Sequence, residues 1–240
     1  MDVNHALDAR EQSIIPIAAF TANGDLAKLK TALQDGLEAG LTVNEIKEIL
    51  VHLVDGQPGL QTGLTVNEIK EILVHLYAYT GFPRSLNGIN TFMALMDERQ
   101  AQGIEDAVGD EASPLPADMD RDAYGANVRA KLAGWETIPP PGGYQRFAPI
   151  IDTFLKEHLF ADIFARDVLD FQSRELVTIS ALAGMAGTGG QLQFHLGAAM
   201  NTGLTEAQMH EFIVVLSEKV GQREAEDAAA ILARVLNSRT

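Results

Sequence analysis

Residues 174–183 read RELVTISALA, and after a glycine-rich stretch at 184–190 the chain continues as QLQFHLGAAMN over residues 191–201. Apolar residues in the first segment recur close to the spacing of one helical face, and the segment has no alternating run typical of a strand. The two segments are therefore predicted to be helices that meet at a corner. The same periodicity extends through most of the chain, so the predicted fold class is all-α.

Capping residues identify several helix starts. The tetrapeptide TVNE occurs at 42–45 and again at 65–68, and Thr-x-x-Glu is the pattern of a capping box, in which both side chains satisfy free N–H groups. Thr205 follows Gly203, a residue type that often ends the preceding helix. Helices are predicted to begin at these three threonines.

A degenerate repeat relates the two halves of the chain. The dipeptide Arg-Glu occurs at 10–11 and at 174–175, and Gly-Leu-Thr occurs at 40–42 and at 203–205. One gap reconciles the two offsets. Each half is therefore predicted to be one copy of the same helical unit.

Composition places the domain boundaries. Five of the nine prolines lie between residues 101 and 145, together with an acidic stretch, which is typical of a connector. One helix is predicted inside this region, from about 120 to 132. The predicted organisation is an N-terminal helical domain over 1–100, a linker over 101–118, and a C-terminal helical domain over 119–240.

A second repeat is identical in sequence. GLTVNEIKEILVHL occupies residues 40–53 and again residues 63–76. Because only two copies exist and a turn-rich spacer separates them, the pattern indicates a duplicated insertion, natural or engineered, rather than a solenoid. The second copy is expected to fill the native position because it runs unbroken into Tyr77. The first copy is then expected to form an extra helix or a less ordered excursion.

The charge of the chain excludes several classes of partner. Among 240 residues, 33 are acidic and 18 are basic, which leaves a formal charge of −15. Such a surface repels phosphate backbones and anionic membranes, so neither nucleic acid nor membrane is expected as a partner. No apolar run has the length of a spanning helix, and the N-terminus lacks the features of a signal peptide. The expected location is the cytoplasm.

The chain contains no cysteine, which removes thiolate nucleophiles, disulfides, and sites for zinc or iron–sulfur clusters that depend on thiolates. Six histidines are scattered along the chain, and none pairs with other ligands at a convincing metal-binding spacing. Glu157, His158 and Asp162 share one helical face, but such a trio is weak evidence. No metal is therefore expected.

His195 is the candidate for proton transfer. It lies among apolar and small residues, and Glu175 lies at the start of the preceding helix, so the corner between the two helices could bring both side chains into one cleft. A buried Glu–His pair supplies a proton donor and acceptor near neutral pH. In the first half Glu11 matches Glu175, whereas Ala32 replaces the histidine. The alternative is a packed, purely structural His195, with Glu175 paired to Arg174 or to a helix end.

Several motifs carry a family resemblance. They are Arg-Glu-Leu at 174–176, Gln-Leu-x-x-His at 191–195, Ala-x-Asn-x-Gly-Leu-Thr at 199–205, and Tyr-x-Tyr-x-Gly-Phe-Pro at 77–83 followed by Asn87. With these motifs the chain resembles the carboxymuconolactone decarboxylases of the alkylhydroperoxidase D-like superfamily. The resemblance covers residues 5–100 and 119–240, which corresponds to a two-domain form.

The resemblance implies two alkylhydroperoxidase D-like helical units in tandem, and it assigns roles to individual residues. His195 and Glu175 would be catalytic. The substrate-binding residues would be Gln191, Tyr77, Tyr79, Phe82 and Asn87. No cofactor is implied.

The chain also departs from the superfamily pattern. The peroxidase branch carries Cys-x-x-Cys-x-x-x-His, and the two cysteine positions are occupied here by Thr188 and Gln191. Without thiolates the peroxidase reaction cannot run. The Tyr-x-Tyr-x-Gly-Phe-Pro element occurs only in the first half, and the duplicated segment has no counterpart in the family pattern.

The resemblance implies a cofactor-independent decarboxylase acting on a small carboxylated unsaturated lactone, as in aromatic catabolism. Two alternatives stay open: a lactone hydrolase using the same pair, and a non-catalytic accessory member. A homo-oligomer is expected because each half exposes apolar helical faces. The resemblance to family members with six helical units favours a trimer, and a dimer is the alternative.

Overall fold

The computed structural model describes residues 5–39 and 63–239. Over these residues the chain forms helices and no strand, which confirms the all-α prediction. The α-helices in chain order are α1 (Ala9–Asn23), α2 (Leu26–Glu38), α3 (Val66–Ala101), α4 (Arg121–Ala133), α5 (Gly143–Phe147), α6 (Pro149–Thr153), α7 (Phe171–Ala183), α8 (Gly189–Asn201), α9 (Glu206–Val215) and α10 (Gln222–Asn237). Two π-helical segments, Phe154–Ile163 and Leu216–Val220, continue α6 and α9.

Helices α1 and α7 pack against each other at the centre of the molecule. Each begins with an aspartate cap, Asp8 and Asp170, whose carboxylate accepts an N–H of the first turn. Both helices are almost entirely buried along their length, which explains why their apolar residues do not form a single narrow stripe. One apolar cluster contains residues from both halves of the chain, and a second, smaller cluster packs α4 against the π-helical segment Phe154–Ile163.

The capping residues act as predicted where the structure describes them. Thr65 and Thr205 each accept an N–H of the first turn, and the side chains of Glu68 and Gln208 close the reciprocal bond. The third predicted start, Thr42, lies outside the described residues. The two observed boxes start α3 and α9.

The second copy of the duplicated sequence forms the first part of α3. Ile69, Ile72 and Leu76 of this copy are fully buried in the core, as the prediction for the native position requires. The first copy, residues 40–53, lies outside the described residues, and its predicted conformation stays a prediction. The Leu64 N–H donates to the Gly36 carbonyl at 2.8 Å, so the chain before and after this gap is in direct contact.

Helix α3 bends sharply at Gly81, inside the Tyr-x-Tyr-x-Gly-Phe-Pro element. Gly81 has φ 76° and ψ 161°, a conformation that side chains with a Cβ avoid. Pro83 follows as the chain turns back into helix, where its missing N–H is tolerated. The bend places the residues before and after Gly81 on separate helical arms.

The connector between α3 and α4 is fixed by backbone contacts. Val66 and Asn67 donate their N–H groups to the carbonyls of Ala107 and Val108, at 3.0 and 2.9 Å. The connector therefore covers the N-terminus of α3. The helix predicted near 120–132 is confirmed as α4, whereas the domain boundaries themselves stay a prediction. None of the described helices is long and apolar enough to cross a membrane.

Candidate active site

The structure brings His195 and Glu175 into hydrogen-bond contact. His195 lies on α8 and Glu175 on α7, and the corner between these helices folds one side chain onto the other. The Nδ1 atom of His195 lies 2.8 Å from Oε2 of Glu175. Glu175 is fully buried, whereas His195 keeps 7% of its surface exposed. The pair therefore lies at the edge of the core, and its catalytic role stays a prediction.

The hydrogen bond determines what each nitrogen of His195 can do. A carboxylate only accepts, so Nδ1 carries the proton that Glu175 binds. The Nε2 atom is then the atom available for proton transfer, as in other carboxylate–histidine pairs. The rings of Tyr79 and Phe194 flank the imidazole edge to face, with centroids 5.5 and 5.1 Å away. These rings restrict the orientation of the imidazole.

Arg174 does not pair with Glu175, which removes one structural explanation for that carboxylate. Its guanidinium is fully buried and donates to Oε1 of Glu71 at 2.8 Å and to the carbonyl of Arg166 at 2.6 Å. Arg166 binds both carboxylate oxygens of the same glutamate. Glu71 therefore balances the positive charges of both arginines, and Glu175 pairs with His195.

A second histidine, His75, lies in the same cluster. Arg174 can only donate, so its contact with Nδ1 of His75 at 3.3 Å makes that nitrogen an acceptor. The Nε2–H of His75 then donates to Oγ1 of Thr178 at 2.9 Å, and the Thr178 hydroxyl donates to the carbonyl of Arg174. Burial, and after it the charges of Arg174 and His195, lower the pKa of His75 well below its usual range. His75 is therefore a neutral structural group.

Comparison with known proteins identifies the segment that contains the pair. Residues 151–234 match the model of the carboxymuconolactone decarboxylase family. This segment is therefore similar to that family. The match includes α7, α8 and both members of the His195–Glu175 pair, and it covers about a third of the chain. The two-domain form stays a prediction, and no curated protein matches the chain.

The substrate-binding residues implied by the family resemblance lie in different environments. Tyr77 stacks on Phe82 across the bend of α3, with ring centroids 4.6 Å apart, and Phe82 is 63% exposed. Gln191 is exposed one turn before His195 on α8, and Asn87 is exposed on the second arm of α3. In the described part of the chain no hydrogen bond joins Gln191 or Asn87 to the pair. Their assignment stays a prediction.

Tyr79, one of the implied substrate-binding residues, contacts the ring of His195, and its hydroxyl is buried. Burial, and after it the carboxylate of Glu175, raise the pKa of Tyr79, so the hydroxyl stays protonated. Its Oη and the second carboxylate oxygen of Glu175, Oε1, are both buried and make no hydrogen bond within the described residues. Unpartnered buried groups are rare in folded proteins.

Sequence reasoning missed Glu71 and His75, although a signal was present. With Tyr79 they recur every four residues, which places three polar groups on one face of the first arm of α3, beside the buried Ile69, Ile72 and Leu76. A polar stripe of this kind on a buried helix indicates a partner elsewhere in the fold. Where the structure describes the chain, no group of three or more His, Asp or Glu side chains is arranged to hold a metal ion.

Proposed function

We propose that this protein decarboxylates a carboxylated unsaturated lactone by general acid–base catalysis, without a cofactor. The observation that carries the proposal is the 2.8 Å contact between His195 and the buried Glu175, within the segment that matches the family. The contact leaves Nε2 of His195 as the group that exchanges protons. His195 keeps 7% of its surface exposed, and the proposal requires Nε2 to be the atom that a substrate reaches.

The reaction needs an electron sink, which the substrate supplies. The bond between the carboxylate carbon and the lactone ring breaks, carbon dioxide leaves, and the electron pair moves into the conjugated carbonyl as a dienolate. The protonated His195 then gives its Nε2 proton to the dienolate carbon and recovers a proton from water. The net change is one carboxylate and one proton converted to carbon dioxide and a C–H bond.

Glu175 supports this step by holding the imidazole and stabilising its charged form. General acid catalysis of this kind contributes roughly 10²–10⁴-fold to the rate. The stacked aromatic pair of half-buried Tyr77 and exposed Phe82, with Gln191 and Asn87, would contact the lactone and its carboxylate. Orientation by such contacts lowers the barrier because the reacting atoms meet in the productive geometry.

Turnover of 4-carboxymuconolactone, followed by carbon dioxide release and by loss of the substrate acid, tests the proposal. His195→Gln keeps the size and one hydrogen bond but loses proton transfer, so its rate should fall by about 10²–10⁴-fold. Glu11→Gln changes the matching carboxylate of the first half and should leave the rate nearly unchanged. His210→Gln alters an exposed histidine and serves as the surface control.

Other outcomes would assign a different function. Loss of the lactone with no gas would identify a lactone hydrolase in which His195 activates water. No turnover by the wild type would support a non-catalytic member, in which the pair is structural. Full activity of His195→Gln would contradict the mechanism even if decarboxylation were observed.

A further inference from the structure

Two buried atoms near His195 lack hydrogen-bond partners, and their chemistry is complementary. Tyr79 Oη carries a proton to donate, and Glu175 Oε1 has lone pairs to accept one. The two groups are close enough for the carboxylate to act electrostatically on the phenol. A buried polar group left without a hydrogen bond destabilises the fold, so a partner is expected for each of these atoms.

We propose that Tyr79 is a positioning residue for the proton-transfer pair. Its hydroxyl donates toward Oε1 of Glu175 through one bridging water, and thereby fixes the carboxylate that holds His195. The inference rests on the proposed function, in which His195 transfers the proton. It assigns Tyr79 a role behind the imidazole instead of a contact with substrate.

Thr178 is the rival acceptor for the Tyr79 hydroxyl, since its side chain lies near enough to moderate the raised pKa of Tyr79. Its own proton is committed to the carbonyl of Arg174, and one lone pair of its oxygen accepts from His75. A neutral hydroxyl with one remaining lone pair is a weaker acceptor than a carboxylate oxygen with none of its bonds made. Hydrogen bonds to an ionised acceptor are roughly twice as strong as neutral ones.

The contact would make the site dependent on both halves of the chain. Glu175 and His195 lie in the segment that matches the family, whereas Tyr79 comes from the first arm of α3. The Tyr79 ring also stands between the two histidines, with centroids 5.3 Å from His75 and 5.5 Å from His195. The packing that fixes His75 therefore also fixes the donor.

The titration of His195, followed by the ¹³Cε1 NMR signal of labelled histidine, tests the inference without any substrate. Tyr79→Phe keeps the ring and removes the donor, so Glu175 directs more of its charge to Nδ1–H and favours the protonated imidazole. The titration midpoint should rise by about 0.5–1 pH unit. His195→Gln identifies the signal, and Tyr144→Phe, at an exposed tyrosine, should leave the midpoint unchanged.

A second variant keeps the test decisive if Tyr79→Phe fails to fold. Site-specific 3-fluorotyrosine at position 79 preserves the shape and makes the hydroxyl a stronger donor, so the midpoint should fall. An unmoved midpoint in the folded Phe variant, or in the fluorotyrosine variant, would overturn the inference and indicate that Tyr79 only packs or binds Thr178. Because the readout is a titration, failure of decarboxylation would not affect the result.

Discussion

Burial, and after it the charge of Arg174, keep His75 neutral in the folded protein, with a pKa well below its usual range. In the unfolded chain the same imidazole titrates near its ordinary value of about 6.5. Below that pH the His75 imidazole binds a proton in the unfolded chain but not in the folded protein. The stabilisation associated with neutral His75 is therefore complete above about pH 6.5 and is lost as the pH falls.

This linkage predicts a pH-dependent stability that one substitution removes. Between pH 6.5 and 5.5 the free energy of unfolding should fall by up to about 1.4 kcal/mol through His75 alone. His75→Gln should be less stable at pH 8 but should show a slope smaller by that amount in urea unfolding. His52→Gln, at the identical position of the first copy, is the matched control and should leave the slope unchanged. Equal effects at both positions would contradict the assignment of the second copy to the core.

Among the side-chain contacts of the candidate site, the sequence predicts the one between His195 and Glu175 and misses those of His75. The 20 positions between Glu175 and His195, with a glycine-rich corner between them, were enough to place one side chain near the other. The contact of His75 with Thr178 joins residues 103 positions apart. Such a contact depends on how α3 packs against α7, and local periodicity contains no information on that packing.

At the scale of helices, the duplicated segment can be deleted in two equivalent ways. Removing residues 40–62 or residues 54–76 gives the same polypeptide, because the two copies are identical in sequence. The hydrogen bond from Leu64 N to Gly36 O already joins the two ends that the first deletion would connect. After deletion it would span five positions, as the bond from Leu204 N to Ala199 O does at the end of α8.

The deletion variant is therefore expected to fold. Its far-UV circular dichroism should show that the helices formed by residues 5–39 and 63–239 are retained. Its thermal unfolding should stay cooperative, with a midpoint similar to that of the full chain. Loop closure contributes only modestly, since halving a loop changes the free energy by about 0.6 kcal/mol. A variant that failed to fold would show that residues 40–62 are needed for the native core.

Helix ends were more predictable from the sequence than helix geometry. Thr65 and Thr205 start helices because capping is a local interaction between residues three apart. The π-helical segment ends at Ile163, and the chain is not helical again until α7 begins at Phe171. Asp170 explains that break, because its carboxylate caps a new helix.

For the whole molecule, we propose the homotrimer that the family resemblance favours. Phe147, Ile150 and Phe154 are 93%, 61% and 57% exposed, which is a large apolar surface for a chain in water. Light scattering at micromolar concentration should give about three times the chain mass of 25.9 kDa. Because each copy carries a charge of −15, association should strengthen as salt shortens the Debye length from about 30 Å at 0.01 M to about 10 Å at 0.1 M.

A substitution and a control refine this test. Phe147→Asp should lower the measured mass and leave the circular dichroism spectrum unchanged, because the side chain contributes nothing to the core. Val108→Asp alters an exposed residue of the connector, 61% exposed, and should leave the mass as it is. A mass near 25.9 kDa at every salt concentration would refute the oligomer, and twice that mass would identify a dimer.

The ion pair between Arg174 and Glu71 has a consequence for how the chain can be divided. The two residues lie 103 positions apart, on either side of a connector whose residues near 114–118 are mostly exposed to solvent. A protease that nicks this connector would produce two pieces that remain associated, since each piece holds the counterion of the other. If the pieces were separated, Glu71 in the first piece and Arg174 in the second would each lack the oppositely charged partner. We therefore expect fragment complementation, in which the two pieces fold only when they are mixed.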